Sequence, residues 1–413
     1  MMVRRSLRAH ALSTCVTAAA AALACGLVMA VFGIQAQTEA AFLGGSPGFD
    51  AVLGARGSPL QLVLNTVYHL ETSPGNIPWN WLERMRRDPR IVRAVPFALG
   101  DQYRSFRIVG TTEELFTPRN GRGPRFELLP GGRLFDPGRR EAVIGSYAAQ
   151  RTGLTVGSTF HPAHGVTAGG HEHEDEYVVV GVLRPTNTPN DRVIWIPIEG
   201  VFRMEGHVLR GAGEEFSAHD HAHDEIPDEH KEASAIVLTL RRPQDGLSLA
   251  DEINRESREA TLAWPIATVM ADLFDKIGWV TRVLGLVAYL VVAVSAAAIL
   301  ASLYNTINER RREFAILRAL GARRWTVFAV IVVESAAIAA TGALMGLLVY
   351  AAILSGAAVV IRAQTGVVLD ALSWHAALLL TPLGMIALGA AAGIAPAMKA
   401  YRTDVAENLA PRA

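Results

Sequence analysis

Residues 283–330 read VLGLVAYLVVAVSAAAILASLYNTINERRREFAILRALGARRWTVFAV, and this stretch decides the fold. An apolar block, Val283–Tyr304, precedes a segment with six arginines, and a second apolar block starts near Trp325. A run of about 20 apolar residues is long enough to cross a bilayer. The stretch therefore predicts two membrane spans joined by the short basic segment 305–324.

Two further features of the composition extend this prediction to the whole chain. Half of the 413 residues are hydrophobic and the net charge is +0, which gives no sign of nucleic-acid binding. The apolar residues concentrate near the N-terminus and in the last third, around a mixed region that reads as an α+β domain. The first block, Ala11–Ile34, is longer than a signal-peptide core and is followed by a poor cleavage site, which favours an uncleaved anchor over a cleaved signal.

Positive charge sets the predicted direction of the spans, because cytoplasmic loops are enriched in Lys and Arg. The N-terminal tail, the segment 305–324 and the C-terminal tail are basic, whereas the link after the third span has only Arg362. We therefore predict a multi-pass membrane protein with both termini in the cytoplasm. It has four transmembrane α-helices, and a large α+β extracytoplasmic domain is inserted between helices 1 and 2. The predicted segments are 1–10 (cytoplasmic tail), 11–34 (helix 1), 35–276 (extracytoplasmic domain), 277–304 (helix 2 with a stalk), 305–324 (cytoplasmic segment), 325–361 (helix 3), 362–373 (outer link), 374–397 (helix 4) and 398–413 (cytoplasmic tail).

The predicted spans carry few polar groups, so little in them suggests a hydrophilic pore. Glu334 is the exception, and an intramembrane carboxylate is expected to face protein or water. Glu334 therefore has two candidate roles, a helix-to-helix contact near the cytoplasmic end of its span and a part in a proton or cation pathway. The pairs Gly342/Gly346 and Gly389/Gly393 have the spacing that lets helices pack closely.

The basic segment 305–324, called the coupling segment below, reads as an amphipathic helix. Phe314, Leu317 and Leu320 form an apolar stripe at helical spacing, and Gly321 stands where a C-cap glycine belongs. Such a helix can lie at the lipid surface or dock on a soluble partner. The residues that we expect to take part in docking are Glu309, Arg310, Glu313, Phe314, Leu317, Arg318, Leu320 and Gly321.

The coupling segment resembles that of the FtsX/MacB/LolC permeases of ABC transporters, through its pattern N-x-x-x-E-R-R-x-E-x-A-x-L-R-A-L-G-A. The closing stretch 395–409 and phrases such as Gly132-Arg-Leu-Phe135 and Gly153-Leu-Thr-Val-Gly157 are also similar to this family, although Asp404-Val405 replaces its usual Asp-Pro. The resemblance implies a MacB-like periplasmic core domain, a dimer with itself or with a similar permease, and a separate cytoplasmic ABC ATPase. It also implies a location in the bacterial inner membrane, and it is compatible with a periplasmic binding protein or an outer-membrane partner. The chain has no G-x-x-x-x-G-K-[ST] motif, so we expect a transport subunit without catalytic residues or a bound cofactor of its own, ATP being held by the partner.

Histidines cluster in the extracytoplasmic region. Nine of the twelve histidines fall between His161 and His230, mostly among acidic residues and without cysteine. Imidazole and carboxylate ligands together suit Zn²⁺, and also Ni²⁺ or Cu²⁺. We therefore hypothesise low-to-moderate-affinity metal capture, with Zn²⁺ as the first choice, against the alternative of a solvated acidic loop. The candidate ligands are His171, His173, His219, His221, His223 and His230.

Three functions remain open at this point. The histidines favour a transporter that handles zinc or another metal. The apolar spans favour export or extraction of a lipoprotein, a peptide or a hydrophobic compound. The third is FtsX-like signalling across the membrane to a cell-wall enzyme.

Overall fold

The computed structural model describes residues 11–43, 48–117, 126–165, 173–204 and 226–402. These residues divide into two compact units. The helical unit comprises Ile277–Val360 and the described parts of Met1–Thr38 and Leu369–Ala413, and the core unit comprises Glu39–Lys276 with Ile361–Val368.

In the part of the chain that the structure describes, four helices are long and apolar enough to cross a membrane. They are α1 (Ala11–Leu43), α7 (Ile266–Glu309), α9 (Arg324–Thr365) and α10 (Ala377–Arg402). Each helix extends beyond the apolar run from which its span was predicted. The helical hydrogen bonds continue into polar residues, which hydrophobicity alone does not assign to a span. The 44 residues of α7 correspond to about 66 Å at 1.5 Å per residue, roughly twice the hydrocarbon thickness of a bilayer.

Small residues set the closest approaches within the helical unit. A Cβ at Gly342 or Gly346 would collide with α1, at Ala21 and Cys25 respectively. A Cβ at Gly389 or Gly393 of α10 would collide with the Ser335–Ala339 stretch of α9. Each glycine pair thus lets one helix lie directly against another, as the spacing predicts.

The core unit is built on a sheet in the order β12-β1-β11-β3-β4-β9-β5-β8-β6, with β7 also paired to β3. The parallel pairs are β4 with β9 and β5 with β8, and the other neighbours are antiparallel. The strands of this sheet are β1 (Ala51–Ala55), β3 (Ile91–Tyr103), β4 (Phe106–Thr111), β5 (Glu141–Ile144), β6 (Thr159–Phe160), β7 (Ala163–His164), β8 (Tyr177–Val182), β9 (Ile194–Pro197), β11 (Ala235–Leu240) and β12 (Ala260–Ala263). A small second sheet pairs β2 (Ile77–Pro78) with β10 (Glu232–Ala233).

The long strand β3 is shared by the two halves of the sheet. Its first part, Ile91–Phe97, pairs with β11, and its second part pairs with β4 and β7. The register of the β3–β4 pair shifts between Leu99 and Gln102, just after the change of partners between Phe97 and Ala98. Such an irregularity bends and twists a strand locally, which explains how one strand serves both halves.

Short helices cover the sheet. They are α2 (Pro59–Thr66), α3 (Asn80–Arg87), α4 (Ser146–Thr152), α5 (Ile198–Phe202) and α6 (Asp245–Glu256). Leu82 and Met85 of α3 and Leu249 and Ile253 of α6 lie in one buried cluster with strand residues. The sequence pattern suggests a helix through Ser248–Ala263, and this is wrong at its C-terminal end, where β12 pairs with β1.

Candidate functional site

The coupling segment contains the last residues of α7, a break in the helix and a second, short helix that leads to α9. Helix α7 ends at Glu309, and helix α8 (Arg311–Ala319) follows after the single residue Arg310. The amide of Gly321 donates to the carbonyl of Arg318, and the amide of Ala322 donates to that of Leu317. Gly321 has a φ of 99°, a left-handed value that suits glycine, so this pair of bonds forms a Schellman C-cap.

One side of α8 is anchored within the helical unit. Phe314 is buried and Leu317 packs beside it, in a cluster that also draws on α7, α9 and α10. The other buried members of this cluster are Ile307, Val327, Ile331, Ala397 and Ala400. At roughly 1.5–3 kcal/mol for a fully buried large apolar side chain, Phe314 alone gives α8 a substantial hold on the helices around it.

An ion-pair cluster fixes the break between α7 and α8. The Nε atom of Arg310 lies 3.0 Å from Oε2 of Glu313, and its Nη1 atom lies 3.6 Å from Oε2 of Glu334. The Arg310 guanidinium also lies over the Phe314 ring, 5.2 Å from its centroid. Glu334 of α9 is buried, and the ion pair joins it to the start of the coupling helix.

The opposite side of α8 is exposed. Leu320 is 80% exposed and Ile316 is 44% exposed, so the predicted apolar stripe divides between a buried anchor and a surface. Glu309 and Glu313 are also exposed, and Arg318 is half-buried. The coupling helix therefore presents apolar and charged groups together, the mixture that protein docking surfaces use.

Only two of the six histidines predicted as metal ligands lie in the described part of the chain. His173 is buried, and its Nε2 atom is 3.5 Å from Oδ1 of Asp101. His230 is part of a single 3-10 turn and lies 3.8 Å from the Glu229 carboxylate. The remaining four, His171, His219, His221 and His223, lie outside the described residues.

Two residues near His173 were missed by sequence reasoning. Asp101 and His164 stand with His173 in one group of potential ligands, and His230 is not a member. The signal for His164 was its place in the histidine-rich region, but Asp101 lies far upstream in β3, outside any histidine tract. Only the β3–β7 pairing brings it there, and the sequence pattern does not predict that pairing.

Comparison with known proteins identifies both parts of the chain. A family model described as the MacB-like periplasmic core domain matches residues 14–256, more than half of the chain, and one described as the FtsX-like permease C-terminal domain matches residues 285–405. An uncharacterized ABC transporter permease of Methanocaldococcus jannaschii is 29% identical over an alignment of 119 residues that covers 27% of this chain. The match spans 29% of that relative's own length.

Proposed function

The chain belongs to the ABC transporter permeases with a MacB-like periplasmic core domain and an FtsX-like permease domain, and from this premise we propose that it works by coupling ATP hydrolysis to movement of its core domain. A separate cytoplasmic ABC ATPase would bind and hydrolyse ATP. The permease would act as a homodimer or as a heterodimer with a similar permease. Membrane helices with few polar groups fit a subunit that transmits movement better than one that conducts a hydrophilic solute.

The proposed topology places both termini and the coupling segment in the cytoplasm of a bacterium and residues 35–276 in the periplasm. Its support is the distribution of arginine and lysine among the segments that join the four helices. In this arrangement α7 runs without interruption from the core unit to the cytoplasmic face, between Ile266 and Glu309.

The observation that carries the proposal is the two-sided character of α8. Phe314 and the Arg310–Glu334 ion pair hold the helix to its own permease domain. Ile316 and Leu320 remain exposed on the other side, with the charged Glu313 beside them. Because one face of α8 is anchored and the other is exposed, an ATPase docked on the exposed face can move α8, and α8 can transmit this movement to α7 and α9.

The test is to replace Glu313 and Arg318 together with alanine. The full-length permease is reconstituted in nanodiscs with its ATPase subunit, and both ATPase retention and permease-dependent ATP hydrolysis are measured. We expect a loss of about tenfold in retention, the effect of roughly 1.4 kcal/mol, because a few charged contacts at an interface contribute on this scale.

A matched control is the exposed Asp251–Arg255 ion pair of α6, which also offers one acidic and one basic side chain on a helix but lies in the core unit. Its double alanine variant should retain the ATPase as the unmodified protein does. Normal retention and hydrolysis in the Glu313/Arg318 variant would show that the ATPase docks elsewhere.

For the cargo, we propose metal handling, with Zn²⁺ as the first choice. The support is the concentration of histidines among acidic residues in the core-domain sequence, including the buried His173. The second candidate is extraction or export of a lipoprotein, a peptide or a hydrophobic compound, which the apolar faces of the four helices favour. Signalling to a cell-wall enzyme, as an FtsX-like protein would do, is the third. Zinc accumulation by cells with and without the permease separates the first from the other two.

A further inference from the structure

Three side chains of the core unit bring one carboxylate and two imidazoles together. Asp101, His164 and His173 each offer a ligand atom, and these atoms all lie within 4.8 Å of one another. Oδ1 of Asp101 is 3.1 Å from Nδ1 of His164 and 3.5 Å from Nε2 of His173. The two imidazole rings meet edge to face, with their centroids 4.2 Å apart.

The backbone holds each of the three residues in place. Asp101 and His164 are directly opposite each other in the β3–β7 pair, next to the pair formed by Gln102 and Ala163. The amide of His173 donates a 2.8 Å hydrogen bond to the carbonyl of Pro162, just before β7. Asp101 is 2% exposed and His173 is buried, so two of the three side chains have little freedom to move. The group is therefore preorganised, unlike a loose tract of surface histidines.

The two distances from the Asp101 carboxylate to the imidazole nitrogens are close to those of a tetrahedral metal centre. With Zn–N and Zn–O bonds of about 2.0–2.1 Å, two ligand atoms of a tetrahedron lie roughly 3.3–3.4 Å apart. The observed 3.1 and 3.5 Å fall on either side of this value, and 3.5 Å is long for an N–H···O hydrogen bond. Two imidazoles and one carboxylate form a nitrogen–oxygen set of the kind that Zn²⁺ takes, and the absence of sulfur argues against Cu(I).

The described part of the chain supplies three protein ligands, and such a set leaves one coordination position for water or an exchanging ligand, whereas structural zinc sites use four. The side chain of His164 is 44% exposed, which gives an ion a route between solvent and the buried carboxylate. The group therefore has the form of a site that binds and releases an ion.

We propose that Asp101, His164 and His173 form an exchangeable Zn²⁺ site in the core domain. Binding of the ion stands on the geometry alone, whereas its use in transport rests on the proposed function. A bound ion fastens β7 and the residues around it to β3, so metal occupancy also stiffens this part of the sheet.

The test uses the full-length permease, purified, stripped of metal with a chelator and held in nanodiscs. The parent carries alanine at His219, His221 and His223, which removes that tract as a competing site. Zn²⁺ is titrated calorimetrically, and Co²⁺ is titrated with its visible absorption as the readout, because tetrahedral Co²⁺ absorbs far more strongly than octahedral Co²⁺. We expect one site per chain with a tetrahedral Co²⁺ spectrum.

Asp101→Asn, His164→Gln and His173→Gln, each made in this parent, keep the size and polarity of the ligands while weakening coordination. Each should lower Zn²⁺ affinity by about 100-fold or more, since even residues that only orient a ligand contribute 10–100-fold. His161→Gln is the matched control, because this exposed histidine lies three residues before His164 and outside the group. It should leave the affinity unchanged.

Unchanged Zn²⁺ affinity and an unchanged Co²⁺ spectrum in all three ligand variants would overturn the proposal, as would an octahedral spectrum in the parent. A thermal melt of each variant without metal checks that the core domain is folded, and a folded Asp101→Asn variant suffices if the histidine variants are not. ATPase retention is measured on the same samples. Loss of Zn²⁺ binding with normal ATPase retention supports the site. Failure of the coupling proposal is a separate outcome, because it would be seen only in the retention of the ATPase.

Discussion

Replacement of Glu334 by glutamine tests how the coupling helix is held to the permease domain. Glu334 is buried in α9, and its Oε2 atom lies 3.6 Å from Nη1 of Arg310, whose side chain is 14% exposed. Glutamine keeps the shape of the side chain and removes its charge. The change therefore removes the electrostatic attraction between α9 and the break that precedes α8, with little effect on packing.

The magnitude follows from the distance and the burial. Two unit charges 3.6 Å apart attract by about 4–5 kcal/mol at an effective dielectric constant of 20, before the desolvation of both groups is subtracted. Removing one partner of a buried pair typically costs about 3–5 kcal/mol. Arg310 keeps Glu313 as a second partner at 3.0 Å, which softens the loss. We expect a net loss of about 1–3 kcal/mol, below the usual cost of breaking a buried pair.

The assay is thermal unfolding of the purified permease together with permease-dependent ATP hydrolysis in nanodiscs. Glu334→Gln and Arg310→Met should each lower the unfolding midpoint and weaken stimulation of the ATPase. The double variant Arg310→Met/Glu334→Leu should recover most of the midpoint, because replacing both partners of a buried pair with apolar groups is often neutral. If both single variants unfold and stimulate hydrolysis as the unmodified protein does, this ion pair does not hold α8 in place.

Two further predictions concern packing in each unit. Burial, and next the positive charge of Arg107, lower the pKa of His69 to about 3, and the ring is hydrogen-bonded to Asn190. Below about pH 6.5 the unfolded chain binds a proton at His69 that the folded protein does not bind, so the free energy of unfolding falls as the pH is lowered. At pH 5 this loss is at most about 2 kcal/mol, since His69 is not completely buried. His69→Asn should therefore reduce the change of the unfolding midpoint between pH 7 and pH 5. In the helical unit, Gly342→Leu should lower the free energy of unfolding by about 1–3 kcal/mol, because the new side chain overpacks against α1. Gly356→Leu on the same helix should have no such effect, because nothing lies within 4 Å of a Cβ at that position. Equal unfolding midpoints for the two variants would contradict the packing argument.

The sequence predicted the parts of the fold that depend on local composition. Four apolar runs were enough to find the four helices, and the family patterns matched both the core domain and the permease domain. The helix ends were harder to predict, because α7 begins at Ile266, in residues whose mixed polarity gives no membrane signal. The strand Ala260–Ala263 was missed for a similar reason, since its pairing with β1 is set by residues about 200 positions away.

The candidate sites show the same division. The apolar stripe of the coupling segment was visible, but not that Phe314 would be buried while Leu320 stayed exposed, because the partners of α8 come from three other helices. Glu334 stood out as a charge in an apolar run and Arg310 as a docking residue, but the ion pair between them was not predicted. Asp101 became a candidate ligand only through the register of β3 and β7.

The shared strand β3 has a mechanical consequence for the core domain. Because one unbroken backbone belongs to both halves of the sheet, the halves cannot slide apart without breaking β3 itself. Strand β3 bends most easily at the irregular step between Leu99 and Gln102, because the ladder of hydrogen bonds is locally disrupted there. Asp101 lies within this irregular step, so a ligand bound to its carboxylate would act where the two halves of the sheet join.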